Sequence, residues 1–179
     1  MEPFPRLVSA LIAASARFLI IGVSGINHYA QTAGLLFTTQ DHDLFLPPDP
    51  ANELKVWKTC RTEGFELWCG DEPLGKPLDR FLAEQVVARR ALVRAHGHEL
   101  LIDLTLVMAG FTFDDVWPRR RVFKVEGTSI PVASLKDIVA SKAAAGRPKD
   151  RLFLATHEEA LRELGRRRRG GGGDPPDRS

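Results

Sequence analysis

The chain of 179 residues has only two cysteines, Cys60 and Cys69. Two thiols make no disulfide framework. With no secretory context to oxidise them, both are expected as reduced thiols of a cytoplasmic protein. Long apolar runs are missing as well. The N-terminal stretch Leu7 to Ala16 is far shorter than the roughly 20 residues of a membrane span, and no basic segment with a long apolar core marks a signal peptide. No membrane association is therefore expected. Charge of one sign is scarce: the net charge is +2, too little to argue for nucleic acid by itself. No internal repeat is visible.

What is present describes a globular domain, 44% hydrophobic and 27% charged. Length and composition suit one domain over residues 1–165. The segment 166–179, RRRRGGGGDPPDRS, has no apolar residue and reads as a disordered tail. The pattern predicts a helix over 5–17, a buried strand over 18–22 and a helix over 26–33. A strand follows over 41–46. Asp49 then caps a helix that Pro50 opens. Further along are a strand at 65–69, a loop at 70–78 and a short helix at 79–84. Two hairpins are expected, one turning at His96 and Gly97 and one at Glu126 and Gly127, with a short helix at 111–117 between them. Ser134 opens a helix that Gly146 ends, and Pro148 opens a last helix to about Leu164. This is a mixed α/β (α+β) pattern, a small mixed sheet with flanking helices.

The chemistry centres on carboxylates. Side chains alternate along a strand, so Asp41 and Asp43 share one face about 7 Å apart, with His42 on the other. Leu44 to Leu46 continue the strand on both faces, which makes it central and leaves two like charges against apolar surroundings. A divalent cation relieves that repulsion, and hard oxygen donors suit Mg²⁺. A second apolar strand, Leu100 to Val107, carries the lone acid Asp103. Beside the pair it completes a three-carboxylate site for one or two Mg²⁺ ions, the arrangement of two-metal phosphoryl transfer. The alternative for Asp103 is a salt bridge to Arg89 or Arg90.

Gly22-Val23-Ser24-Gly25 follows the first strand and opens a helix, a junction whose backbone N–H groups can cradle phosphate. The series Phe18 to Gly25, then Asp41-His42-Asp43, then Ile102-Asp103-Leu104, resembles the nucleotidyltransferase superfamily of the DNA polymerase beta type. Val132 to Asp137, Ser141-Lys142 and Gly146 to Asp150 resemble the closing motifs of its AbiEii-like bacterial branch, a minimal nucleotidyltransferase. The likeness runs from residue 18 to about 164. It implies a nucleotidyltransferase-like fold, with metals at Asp41, Asp43 and Asp103, nucleotide phosphates at Gly22 and Ser24, and a triphosphate met by Lys142 with Arg147, Lys149 and Asp150 in support; the alternative for these last three is a helix–helix connection with capping charges. It further implies an NTP as substrate, an RNA or protein hydroxyl as acceptor and, since the branch includes toxins of toxin–antitoxin pairs, an antitoxin as partner. Val23 stands where relatives carry a second glycine, and Phe37 where they carry an arginine. A degenerate binding or interaction module on the same fold is the competing expectation.

The remaining candidates have plainer readings. His96 and His98 are expected in solvent, and Trp57, Trp68 and Trp117 in or beside the core. His28 and Tyr29 either line the nucleotide site or pack their helix. Arg119 to Arg121 either meet RNA phosphate or guard a strand edge.

Overall fold

The computed structural model describes residues 1–170, with side chains as far as Arg167. The chain forms an α/β fold, a mixed eight-stranded sheet flanked by helices. In chain order these are α1 (Pro3–Ala13), β1 (Leu19–Ile21), α2 (Gly22–Gln31), β2 (Asp41–Phe45), α3 (Pro50–Thr62), β3 (Glu66–Cys69), β4 (Glu72–Pro73), α4 (Arg80–Arg89), β5 (Val93–Gly97), β6 (Leu100–Thr105), α5 (Phe113–Val116), β7 (Arg121–Val125), β8 (Thr128–Val132), α6 (Leu135–Ala145) and α7 (Pro148–Gly170). The sheet runs β4-β3-β5-β6-β2-β1-β8-β7. No helix among the described residues is long and apolar enough to cross a membrane.

The strand with the acid pair is central, as its apolar end requires. It pairs antiparallel with β1 and parallel with β6. Leu44, Ile102, Leu104, Val93 and Ala95 fill one face and are fully buried. His42 shares that face, stacked at 3.9 Å on Phe4 of α1. Its neighbours Asp41 and Asp43 point the other way. Only the second half of the strand is fully buried, because Asp41 is exposed and Asp43 half-buried.

The first hairpin differs from expectation in a way that matters. Its turn lies at His98 and Glu99, both at positive φ (53° and 63°), and not at His96 and Gly97. Gly97 belongs to β5 for another reason. A Cβ there would sit 2.9 Å from the Gly64 carbonyl oxygen and 3.0 Å from the Phe65 ring, so the glycine admits a neighbouring backbone. The two-residue shift of the turn moves the partner of Asp103 by four positions. Arg94 stands opposite it, where a turn at 96–97 would have set Arg90.

Other boundaries shift for local reasons. Gly22 already belongs to α2, and α4 extends to Arg89 where a strand had been expected from residue 88. The last helix continues past Leu164 to Gly170. Arg166 and Arg167 therefore belong to a helix and not to a tail, held by ion pairs to Glu163 one turn back. The rest of the expected tail, 171–179, lies outside the described residues. Both cysteines are free thiols, and burial pushes Cys60 up to about 12, so it stays protonated.

Candidate active site

A single row of side chains crosses five strands on one face of the sheet. Ile21 of β1 is opposite Asp43 of β2, Asp43 opposite Asp103 of β6, Asp103 opposite Arg94 of β5, and Arg94 opposite Trp68 of β3. Neighbouring strands lie about 4.8 Å apart, so parallel register alone sets Asp43 beside Asp103. Asp41 follows two residues along β2. The three carboxylates open into one cavity of about 610 Å³, a size suited to a small-molecule ligand.

Gly22 forms the near wall. Its φ is +68°, and a Cβ would collide with the Asp43 carboxylate. The position therefore admits glycine on two independent counts, and the α2 N-terminus comes directly against the acid. Ser24 does not join it. The side chain is buried and donates its hydroxyl to the Ile21 carbonyl at 3.2 Å. The serine hydroxyl is thus engaged at the turn beside Gly22, and its side chain does not line the cavity where the phosphate contact was expected.

The far wall is basic. Lys142 near the end of α6, Arg147 just before α7 and Lys149 in its first turn all line the cavity. Asp150 organises Lys142 and Arg147. Its side chain is 1% exposed, takes Arg147 Nε at 2.6 Å and an Arg147 Nη at 3.2 Å, and lies 3.5 Å from Lys142 Nζ. Burial raises the Asp150 carboxyl, but the Arg147 hydrogen bond and the Lys142 and Arg147 charges outweigh it and hold the group below its usual range. Lys142 also rests 5.0 Å from the centre of the Phe153 ring. Phe37, where an arginine stands in the resembled family, does not line the cavity. Asn27 bonds its backbone N–H and carbonyl, each at 2.8 Å, and its ring packs edge-on against Phe153 and His157 of α7. It anchors the helix that carries the basic wall.

The two walls sense each other. Burial, then the Asp103 charge, push the Asp43 carboxyl up to about 6. Lys142 and Lys149 pull against that rise, and Asp41 adds to it. A divalent cation fits this donor set in kind, since all three side chains offer hard oxygens and Gly22 keeps bulk away from Asp43. The carboxylates do not already converge as a ligand cluster. Among the described residues no group of three or more His, Cys, Asp or Glu side chains is arranged to hold a metal. At Asp103, Arg94 Nε donates to Oδ1 at 2.9 Å. The salt bridge expected as the alternative for Asp103 is thus real, with Arg94 in place of Arg89 or Arg90.

Of the expected site residues, the structure brings together Asp41, Asp43, Asp103, Gly22, Lys142, Arg147 and Lys149, and leaves out Ser24. Arg94 escaped the sequence reading, although the alternation Val93-Arg94-Ala95-His96 marks it as facing the same way as Asp103 once the turn is placed at 98–99. His28 and Tyr29 are packing residues. Tyr29 donates to the Ala133 carbonyl at 2.8 Å, and His28 lies against Phe123. Arg119 is engaged by Asp137 at 2.9 Å, which leaves no free triplet of arginines at 119–121. Trp57 is fully buried, and His96 and His98 are exposed, as expected. No protein-family model and no curated protein matches this chain.

Proposed function

We propose that the cavity binds a nucleoside triphosphate with Mg²⁺ and transfers its nucleoside monophosphate to an acceptor hydroxyl on RNA or protein. One observation carries this reading: a carboxylate row from the sheet and a lysine–arginine group from α6 and the start of α7 line one cavity, which Gly22 keeps open at Asp43. Opposite charges around one cavity suit a ligand that is itself a metal–polyphosphate, cation toward the acids and phosphate oxygens toward the bases.

In this reading Asp41 and Asp43 hold the cation, with Asp103 as third ligand. Mg²⁺ bound there supplies neutralisation of the triphosphate and activation of the acceptor oxygen. Lys142 Nζ and Lys149 meet phosphate oxygens as point charges, while Arg147 is kept in place by Asp150. Asp103 accepts the hydroxyl proton at its carboxylate. A bond forms between the acceptor oxygen and the α-phosphorus, the bond from that phosphorus to the bridging oxygen of the β-phosphate breaks, and pyrophosphate leaves. A toxin role, an antitoxin partner and a cytoplasmic location follow only if the family likeness holds.

The Arg94–Asp103 contact favours a second reading, a nucleotide-binding module that has lost transfer. Incubation with radiolabelled NTPs, Mg²⁺ and total cellular RNA and protein separates the two. Transfer of label that disappears in Asp43→Asn supports the enzyme. NTP binding without transfer supports the module. Label transfer that persists in the Asp41→Asn, Asp43→Asn double variant overturns the proposed mechanism.

A further inference from the structure

Among the described residues, Arg94 is the one cation that forms an ion pair with the site's three acids. Asp103 stands directly between Asp43 and Arg94 in the sheet, so its carboxylate has a like charge on one side and a guanidinium on the other. The contact is a single hydrogen bond from Nε. Among the described residues, neither Nη of Arg94 has a hydrogen-bond partner, and both belong to a side chain that lines the cavity. The Arg94 side chain is 46% exposed, against 17% for Asp103. Across the cavity, Arg147 grips Asp150 with two bonds, and the acid it holds is wholly buried. The Arg147 pair is built to stay closed. The Arg94 pair is half in water and singly bonded, so solvent compensates its opening.

We propose that Arg94 is a resident counter-cation, which occupies Asp103 when no metal is bound and turns to a phosphate oxygen of the nucleotide when a metal takes the carboxylates. Arg94 is then a positioning residue that couples the two binding events. The fork of Nε and Nη donors suits both partners, because carboxylate and phosphate present the same spacing of acceptor oxygens. The inference rests on the reading of this cavity as a metal–nucleotide site.

Calorimetric titration of the full-length chain with MnCl₂ alone, then with inorganic tripolyphosphate at saturating Mn²⁺, tests it. In Arg94→Gln the competitor for Asp103 is gone, so Mn²⁺ should bind roughly tenfold more tightly, while tripolyphosphate should bind roughly tenfold more weakly. Arg94→Lys keeps the charge and should leave Mn²⁺ affinity near that of the unaltered protein, with circular dichroism melts checking that each variant is folded. Equal Mn²⁺ affinity in Arg94→Gln and the unaltered protein, both sensitive to Asp43→Asn, overturns the role of Arg94 and leaves the site reading standing. Mn²⁺ affinity that Asp43→Asn does not alter, or no Mn²⁺ binding in any form, overturns both.

Discussion

The two walls of the cavity use the same chemical pair, an arginine on an aspartate, to opposite ends. On the basic wall Asp150 is sealed from solvent and gathers Arg147 and Lys142 at the junction of α6 and α7. On the acidic wall Asp103 is partly open, and Arg94 touches it through a single hydrogen bond. Burial makes the difference. A buried pair is costly to break because one charge is left without water, whereas a half-exposed pair opens with solvent in attendance. One wall is scaffold and the other is adjustable.

Breaking the scaffold pair should give the largest effect. Asp150→Ala leaves Lys142 and Arg147 without their shared anion and should cost about 3 kcal/mol, the low end for a broken buried pair because Arg147 itself reaches solvent. Chemical denaturation at neutral pH measures it. Triphosphate binding should fall too, since the basic wall loses its alignment.

Glu53 gives the comparison a control, a fully buried carboxylate with no ion-pair partner among the described residues. Among the described residues its one side-chain hydrogen bond comes from Trp57 Nε1 at 3.1 Å, and its Oε2 has no hydrogen-bond partner. Burial raises it to about 7 against an ordinary 4.5. The folded state therefore favours the protonated acid. The stability this contributes is complete below pH 4.5 and is lost as pH rises through 7, a fall of roughly 3 kcal/mol. Glu53→Gln should flatten that slope and exceed the unaltered protein in stability at pH 8. Equal pH dependence of the two proteins in denaturation curves would show that Glu53 ionises freely in the fold.

The smallest effect is expected at the adjustable pair. Asp103→Asn should change stability by about 1 kcal/mol or less, which for a chain of this size is roughly 2–4 °C in melting temperature. Metal binding should nevertheless be lost or much weakened. A stability loss at Asp103 equal to that at Asp150 would erase the distinction between the walls.

Much of the site was legible because it depends on short-range rules. Asp41 and Asp43 share a face through strand alternation. Asp49 and Ser134 cap their helices as their positions predict, accepting from the Ala51 and Asp137 N–H groups. Gly22 was marked by its place after a buried strand. The misreadings came from residues whose role depends on distant neighbours. Gly97 looks like a turn glycine locally, yet it is needed where Gly64 and Phe65 approach from another element. Ser24 looks like a phosphate ligand, yet its hydroxyl turns inward to Ile21. Arg166 and Arg167 look like a tail, yet they extend a helix through pairs to Glu163.

By itself the sequence determined the α/β pattern, the central acidic strand and the shared face of Asp41 and Asp43, because strand alternation, helix capping and apolar runs are set within a few positions. Only the tertiary structure decided that Asp43 and Asp103 lie side by side, that Arg94 and not Arg90 meets Asp103, and that Asp150 ties the basic wall together. Those outcomes follow from strand register and burial, which arise when segments far apart in the chain pack against one another.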